Sequence, residues 1–341
     1  MNAELDAIAQ KMVADGKGIL AADESTSTIK KRFDAIGVES TEDNRRDYRE
    51  MMFRSDEAMR DYISGVILFD ETIRQKAKDG TPLVQLIQNA GSIPGIKVDA
   101  GAKPMAGFPG ETITEGLDGL AGRLKEYYDL GARFAKWRGV IDIGAGIPTP
   151  GAVAANAHAL ARYAALCQEA NIVPIVEPEV LMDGDHGIER CYEVTDYVLK
   201  VVFDELYAQR VRLEGIVLKP NMIVPGKKAR TQASIEEVAE KTVRVLKSHV
   251  PSTVPGIAFL SGGQSDQDAT AHLDAMVKLG NLPWKLTYSY GRALQAAPQK
   301  AWAGKAENVA AAQAAFTHRA RMNSLAALGQ WSAEQEAKKA A

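Results

Sequence analysis

The chain has very little cysteine and no long apolar run. Cys167 and Cys191 are its two cysteines in 341 residues, and both lie in stretches with helical patterning. A chain of this length with two cysteines has no disulfide framework, so we expect free thiols in a reducing compartment. No apolar run reaches the roughly 18 residues that a membrane-spanning helix needs, so no membrane partner is expected.

The N-terminus also lacks the features of a secretory signal. Residues 1–18 include acidic side chains and have neither a basic start nor an apolar segment. An ordinary signal peptide needs both of those features. Together with the scarcity of cysteine, this predicts a cytoplasmic protein.

Basic charge is not concentrated anywhere, and the histidines form no group. Lys and Arg number 41 against 44 Asp and Glu, which gives a formal net charge of -3. Without a basic stripe or interleaved aromatics, a nucleic-acid partner is not expected. The five histidines show no HxH or HExxH spacing. We therefore predict no catalytic metal and no cofactor.

What the chain does have is a typical globular composition and a series of short apolar runs. Hydrophobic residues make up 46% and charged residues 25%, as in folded soluble domains. Short runs bounded by turn residues are typical of buried strands. The candidate strands are 18–23, 65–70, 95–99, 134–138, 173–179, 213–219, 256–263 and 285–291.

Stretches with helical periodicity separate these runs. One of them places Val153, Ala157, Leu160, Ala164 and Cys167 on a single helical face. Alternating strands and helices predict a parallel sheet, and eight such units are the number that closes a barrel. We therefore predict an α/β fold, a single (β/α)8 TIM barrel. An open doubly wound sheet is the alternative, but no glycine-rich dinucleotide motif follows the first strand.

Further helices are expected at both ends of the barrel. A helix over Leu5 to Val13 precedes the first strand, residues 24–64 have room for extra helices, and the alanine-rich residues 293–328 follow the last strand. Residues 332–341 are polar, and we expect a mobile tail there. No linker divides the chain, so residues 1–341 are predicted to form one domain.

Lys219 is the most informative residue, because it ends an apolar run and Pro220 follows it. Proline cannot donate the next ladder hydrogen bond, so the strand is expected to stop here. A lysine at a strand end often extends to water. At the mouth of a dry cavity, however, its amine can lose the proton and act as a nucleophile.

The candidate strands end in ionisable groups, and the carboxyl ends of barrel strands meet on one rim. Strands four, five and six are expected to be neighbours, which places Lys136, Glu177 and Lys219 side by side. A second ammonium would disfavour the charged form of Lys219, and Glu177 could shuttle protons. The alternative for this trio is a buried ion-pair network.

The carboxylates at the first three strand ends have different expected roles. Asp23 faces Lys219 across the rim as a candidate base, and its alternative role is a helix N-cap. We expect Asp70 and Asp99 to be structural, each capping the following helix.

A second signal comes from serines and glycines after strands seven and eight. In such barrels these two loops commonly bind phosphate through backbone N–H groups. An ordinary glycine turn with a surface arginine is the alternative. The candidate phosphate ligands here are Ser261, Gly262, Gly263, Ser289, Gly291 and Arg292. A second phosphate on the opposite side could contact Lys97, Lys136 and Arg32.

The candidate strands and the residues that flank them, taken together, resemble segments of the class I fructose-bisphosphate aldolases. The resemblance runs in order from about Leu5 to about Gln330 and is highly specific. The segments that show it are GKGILAADES, GVILFDET, GIKVD, FAKWR, IVPIVEPEVLMDGDH, LEGIVLKPNM, FLSGGQS and YSYGRALQ.

The resemblance implies reversible cleavage of fructose 1,6-bisphosphate by a metal-independent, cytoplasmic homotetramer of glycolysis and gluconeogenesis. It makes Lys219 the Schiff-base nucleophile, Glu177 the acid/base for its formation and Asp23 the base for carbon-carbon cleavage. Lys136 and Glu179 would support the charges around Asp23 during carbon-carbon cleavage. One phosphate would be held by Ser261, Gly262, Ser289, Gly291 and Arg292, and Lys97, Arg32 and Arg138 would lie near the other end.

Two departures and two alternatives stay open at this point. Many animal members end in a tyrosine, whereas the last tyrosine here is Tyr290, and Thr28 stands where a serine is usual. A different Schiff-base lyase or transaldolase acting on a monophosphate is one alternative function. A barrel that mainly serves as a scaffold for another protein is the other.

Overall fold

Eight parallel strands close into a barrel in the computed structural model, which describes residues 2–337. Each strand pairs with the next, and the eighth pairs with the first through Ile19 opposite Ser289 and Leu20 opposite Tyr290. The (β/α)8 barrel is confirmed, and the open sheet is excluded. The strands are β1 (Gly18–Ala22), β2 (Ile63–Leu68), β3 (Ile93–Lys97), β4 (Phe134–Ile141), β5 (Val173–Val180), β6 (Val217–Leu218), β7 (Gly256–Phe259) and β8 (Lys285–Tyr290).

Helices surround the barrel, with extra ones at both ends of the chain as predicted. A short hairpin of residues 102–104 and 112–114 follows β3, a π-helical turn covers residues 58–62, and 3₁₀ turns cover 213–215 and 306–308. The helices are α1 (Asn2–Met12), α2 (Thr26–Asp34), α3 (Glu42–Phe53), α4 (Asp70–Arg74), α5 (Leu83–Asn89), α6 (Leu120–Asp129), α7 (Pro150–Glu169), α8 (Ile188–Ala208), α9 (Ile235–His249), α10 (Asp266–Lys278), α11 (Arg292–Trp302), α12 (Val309–Ala327) and α13 (Ala333–Glu336).

The helix signals in the sequence correspond to real caps and buried faces. Ser234 caps α9 by accepting the backbone N–H of Glu237 at 3.2 Å, which satisfies one of the free donors of a helix start. The predicted face of α7 is buried along its length, including Cys167. Cys167 and Cys191 are both buried and unbonded.

Helix α1 plugs the amino end of the barrel. Its Leu5, Ala9 and Met12 pack with interior side chains that include Ile19 and Phe134. Gly95 makes room for this layer, because any Cβ there would collide with the Phe134 ring. The apolar filling occupies one end of the barrel interior, which leaves the carboxyl end for polar side chains.

The predicted sixth strand is much shorter than expected. Residues 213–215 form a 3₁₀ turn, and only Val217 and Leu218 are in strand β6. The Lys219 amide still donates to the Val176 carbonyl at 2.8 Å, so the chain keeps its place beside β5 up to the lysine. The position of Lys219 at a strand end is therefore confirmed, although the strand is only two residues long.

The described part of the polar tail is held by contacts. Helix α13 begins with a capping box at Ser332, and Glu336 receives a hydrogen bond from Arg319 at 2.6 Å. These contacts place the segment as far as Glu336 against α12, and the expected mobility of the tail stays a prediction. Residues 338–341 lie outside the described residues, and the single-domain assignment stays a prediction. Within residues 2–337, no helix is long and apolar enough to cross a membrane.

Candidate active site

A polar cavity of about 390 Å³ lies at the carboxyl ends of the strands. The predicted site residues meet there, although they are spread over nearly 270 positions of the chain: all of them line the cavity except Gly263 and Arg292. The members are Asp23, Arg32, Lys97, Lys136, Arg138, Glu177, Glu179, Lys219, Ser261, Gly262, Ser289 and Gly291. The rim predicted from strand alternation is therefore a single site.

Four buried side chains form a row of alternating charge across the cavity floor. Lys219 Nζ lies 3.1 Å from one oxygen of Glu177, and Lys136 Nζ lies 3.4 Å from the other. Lys136 Nζ also lies 2.7 Å from Asp23. The predicted trio is thus adjacent, and Asp23 extends it from β1 on the far wall.

Burial opposes charge on these groups, and their mutual attraction overcomes it. The pKa of Asp23 would rise on burial, but the ammonium groups of Lys136, Lys97 and Lys219 hold it well below its usual range. The pKa of Glu177 is lowered in the same way by Lys136 and Lys219. Desolvation works against the Lys136 ammonium, yet Asp23 and Glu177 raise its pKa above the ordinary value. Near neutral pH, Asp23 and Glu177 are therefore carboxylates and Lys136 is an ammonium.

The lowered pKa of Asp23 predicts how stability depends on pH. An ionised Asp23 stabilises the fold above the unfolded-state pKa of about 3.9, and this stabilisation is lost as pH falls through the lower folded-state pKa. In the variant Asp23→Asn, we expect the unfolding free energy to fall less steeply with pH below 4. The difference is up to one proton, about 1.4 kcal/mol per pH unit. Urea unfolding of both proteins between pH 2.5 and 6 measures it, and equal slopes would contradict the assignment.

Outside the row, Arg138 on β4 pairs with Glu179 on β5 through its Nε. Burial opposes the charge on Arg138, and the adjacent Glu179 carboxylate outweighs it and raises the pKa of the guanidinium. Both side chains line the cavity. A fixed positive charge on this wall is suited to an anionic ligand.

The prediction that Asp70 and Asp99 cap helices is wrong. Asp99 lines the cavity, and its carboxylate accepts the Gly101 amide at 3.1 Å within a turn. Asp70 is the first residue of α4 and bonds Tyr127 at 2.9 Å, while Phe69 occupies the cap position. The glycine two residues after Asp99 is the turn signal that sequence reasoning missed.

The other wall of the cavity carries the serines and glycines. Ser261 and Gly262 follow β7, Ser289 is the last residue but one of β8, and Gly291 precedes α11. Gly262 has φ of 55°, which favours glycine. The buried Ser289 hydroxyl has no hydrogen-bond partner among residues 2–337. This wall therefore presents an unused polar group and a glycine loop to an incoming anion.

Two arginines differ from their predicted places. Arg292 does not line the cavity; it is exposed, and its guanidinium donates to the carbonyls of Gly262 and Gln264. Arg32 does line it, but on the glycine side, because a Cβ on Gly291 would lie 3.8 Å from Arg32 Nη2. Lys97 stands on the opposite wall above the Phe69 ring. Arg32 comes from α2, which directly follows β1, the neighbour of β8, and this topology accounts for its position.

Sequence reasoning gave Glu24 and Ser25, which directly follow Asp23, no role in the site. Glu24, Ser25 and Thr28 all line the cavity. Ser25, not Asp23, caps α2, and its hydroxyl lies 3.0 Å from that of Thr28. The capping alternative for Asp23 is therefore wrong, and its carboxylate is free to face Lys136.

Among residues 2–337, the side chains form no candidate metal centre. Within the part of the chain that the structure describes, no three His, Cys, Asp or Glu side chains group as metal ligands. His158 and His318 lie in α7 and α12, where they pair with Glu205 and Glu336. The polar groups of the cavity are instead arranged as ion pairs and open hydroxyls.

Known proteins share this chain's sequence and fold along nearly its whole length. The family model "Fructose-bisphosphate aldolase class-I" matches residues 4–341. The Xanthomonas campestris protein named "Probable fructose-bisphosphate aldolase class 1" is 61% identical over 96% of this chain and 98% of its own length. The Arabidopsis thaliana protein "Fructose-bisphosphate aldolase 4, cytosolic" is 53% identical over 96% and 83%.

A solved structure agrees with both sequence comparisons. The fructose-bisphosphate aldolase of Plasmodium falciparum, determined in complex with TRAP and a small molecule inhibitor, superposes with a TM-score of 0.94. It is 50% identical and covers 97% of this chain and 95% of its own chain. The alternating charges at the strand ends, the closed barrel and these matches lead to one conclusion. The chain belongs to the class I fructose-bisphosphate aldolase family.

Proposed function

We propose that Lys219 is the amine that captures the substrate ketone when this class I aldolase cleaves fructose 1,6-bisphosphate in glycolysis. The observation that carries the proposal is the placement of Lys219 Nζ, buried on the cavity floor and 3.1 Å from Glu177. A lysine amine in a dry pocket can attack a carbonyl, and an adjacent acid/base can move the protons.

The proposed reaction follows from carbonyl chemistry. The unprotonated amine of Lys219 adds to C2 of the sugar, and the carbinolamine loses water to give a protonated Schiff base. This iminium accepts the electrons of the C3–C4 bond when a base removes the C4 hydroxyl proton. Glyceraldehyde 3-phosphate leaves, and protonation of the enamine at C3 followed by hydrolysis releases dihydroxyacetone phosphate.

The row of charges supplies a group for each proton transfer. Glu177 contacts Lys219 and is proposed to deliver and remove protons around the carbinolamine. Asp23, whose pKa is held low mainly by Lys136 against the effect of burial, is proposed to take the C4 hydroxyl proton. Lys136 lies between the two carboxylates and would stabilise negative charge on the leaving oxygen.

The two walls are proposed to hold the two phosphates. The glycine wall offers Ser261, Gly262, Ser289 and Gly291, with Arg32 beside them. Arg292 is proposed to act there by holding the loop carbonyls. The other wall offers Lys97 and Arg138, with Glu179 orienting Arg138.

Trapping on the intact chain tests this proposal. Incubation with fructose 1,6-bisphosphate and borohydride should reduce the Schiff base to a stable amine. Peptide mapping by mass spectrometry should then place the added mass on Lys219. Turnover without any trapped adduct would rule out the proposed covalent route.

Lys97 is expected to distinguish a bisphosphate from a monophosphate substrate. In the variant Lys97→Met, we expect the KM for fructose 1,6-bisphosphate to rise about tenfold, because a charged contact to one phosphate is lost. The KM for fructose 1-phosphate should change by less than about twofold. Steady-state kinetics on both sugars provide the test, and Lys103→Met, an exposed lysine on the nearby hairpin, is the matched control.

Equal KM changes for both sugars would contradict this division of the walls. A parent chain that cleaves only fructose 1-phosphate would instead favour the monophosphate alternative. The scaffold alternative predicts residual or no cleavage of either sugar, and the intact row of charges speaks against it.

The cellular location and the oligomeric state are also proposed from similarity to known proteins. A relative from spinach is named "Fructose-bisphosphate aldolase, cytoplasmic isozyme" and is 53% identical over 96% of this chain. By this similarity we place the chain in the cytoplasm. The homotetramer implied by the family resemblance is proposed likewise, and light scattering coupled to size-exclusion chromatography would measure it against a chain mass of 36.8 kDa.

A further inference from the structure

Arg49, on helix α3, is a buried charge that the reaction scheme does not use. Its side chain is 1% exposed, and the one hydrogen bond that this side chain makes within the described residues runs from Nη2 to the Glu24 carbonyl at 3.1 Å. Nε and Nη1 have no hydrogen-bond partner among residues 2–337. A guanidinium stays protonated in proteins, so a fixed positive charge lies directly behind the cavity wall.

The carboxylate that faces Arg49 is also bound by a cavity residue. One oxygen of Glu24 accepts from Arg32 Nη1 at 2.5 Å and from Gln295 at 2.7 Å. Its other oxygen lies 3.7 Å from Arg49 Nη2 and accepts no hydrogen bond within the described residues. Glu24 is therefore shared between two guanidinium groups, one in the cavity and one behind it.

The second carboxylate near Arg49 also has a closer arginine partner. Glu71 lies 3.8 Å from Arg49 Nη1, but Arg45 holds it at 2.5 Å. Three guanidinium groups thus face two partly or fully buried carboxylates, which leaves one positive charge unmatched. Glu42 also lies near Arg45, but it is exposed to solvent, which screens it.

We propose that Arg49 is a positioning residue for phosphate binding. By sharing Glu24, its charge keeps that carboxylate from fully neutralising Arg32 and leaves the Arg32 guanidinium available to a substrate phosphate. The inference rests on the proposed function, because that function makes a phosphate the ligand of this wall. Without Arg49, Glu24 would be a single counterion for Arg32 and would compete with the phosphate.

Kinetics of the variant Arg49→Met test the proposal on the full chain. We expect the KM for fructose 1,6-bisphosphate, and the constant for competitive inhibition by inorganic phosphate, to rise about fivefold through the lost charge. The kcat should stay within about twofold, because the row around Lys219 is untouched. Arg49→Lys, which keeps the charge, should restore most of the affinity. Arg46→Met on the same helix, whose side chain pairs with Asp43 and Asp47, is the matched control.

A second variant predicts an effect of opposite sign. Glu71→Gln removes a counter-charge from the cluster, so both constants should fall about two- to threefold. A purely structural role would weaken binding in this variant as well as in Arg49→Met. If Arg49→Met does not fold, Glu71→Gln and Arg49→Lys still decide the matter.

The outcomes separate this inference from the proposed function. Charge sharing would be overturned if Glu71→Gln left the KM and the phosphate inhibition constant unchanged. It would also be overturned if Arg49→Lys bound substrate and phosphate as weakly as Arg49→Met. In both cases the enzyme would still cleave the bisphosphate. A parent chain that neither cleaves the bisphosphate nor traps it on Lys219 would instead overturn the proposed function.

Discussion

Replacement of Lys219 by alanine is expected to abolish cleavage of fructose 1,6-bisphosphate. The proposed Schiff base needs the amine of this side chain. We therefore expect kcat to fall by at least about 10⁴-fold, the scale seen when a covalent nucleophile is removed. Borohydride and substrate should add no mass to the variant. A coupled assay for dihydroxyacetone phosphate and mass spectrometry of the intact protein provide the two measurements.

Arginine at position 219 distinguishes the loss of the nucleophile from the loss of the positive charge. Lys219→Arg keeps a cation beside Glu177, so we expect near-parental stability together with the same loss of activity. Lys228→Ala removes an exposed lysine and should leave kcat unchanged. Measurable trapping or more than about 1% of parental turnover in Lys219→Ala would disprove the assignment, since such residual activity exceeds what non-covalent groups supply.

Replacement of Lys136 by methionine is expected to cause the second-largest loss. Lys136 Nζ lies between two buried carboxylates, at 2.7 Å from Asp23 and 3.4 Å from Glu177. Removing it leaves both without their shared cation, which costs about 3–5 kcal/mol in unfolding free energy for a broken buried pair. We expect kcat to fall about 10³-fold, because proton transfer at both carboxylates is disturbed.

The variant should also change the pH dependence. The largest influence on Asp23, burial, raises its pKa, and Lys136 is the leading counter-effect. Without this lysine the pKa of Asp23 should rise, so residual activity should decline at a higher pH on the acid side. Lys136→Arg retains the cation and should recover most of the stability. A Lys136→Met enzyme with parental kcat and an unshifted acid limb would show that the row of charges is not coupled.

The barrel and most of the site were predictable because strand and rim patterns are local. Short apolar runs, each ending in a charged or glycine residue, recur with helical stretches between them, and the closed eight-stranded barrel follows that order. In a parallel barrel, strand ends converge whatever the loop details. This convergence is why Lys136, Glu177 and Lys219 could be placed together from their positions alone.

Features that depend on loops were predicted less well. The strand before Lys219 is two residues long, Asp99 belongs to a turn in the site, and Arg32 stands on the glycine wall. The errors on Asp99 and Arg32 arose where the course of the chain after a strand end decides the neighbour. Local patterns do not specify that course, because turns can send the chain to either wall.

The sequence by itself determined the family, the barrel and the residue types at its rim, since these depend on order and periodicity. Only the tertiary structure decided which charges pair. It shows Asp23 bound to Lys136 across the barrel, Glu24 shared by Arg32 and Arg49, and Arg292 bound to the carbonyls of Gly262 and Gln264. Electrostatic interactions act over a few ångströms between residues far apart in the chain, so they are set by the packed geometry and not by spacing in the sequence.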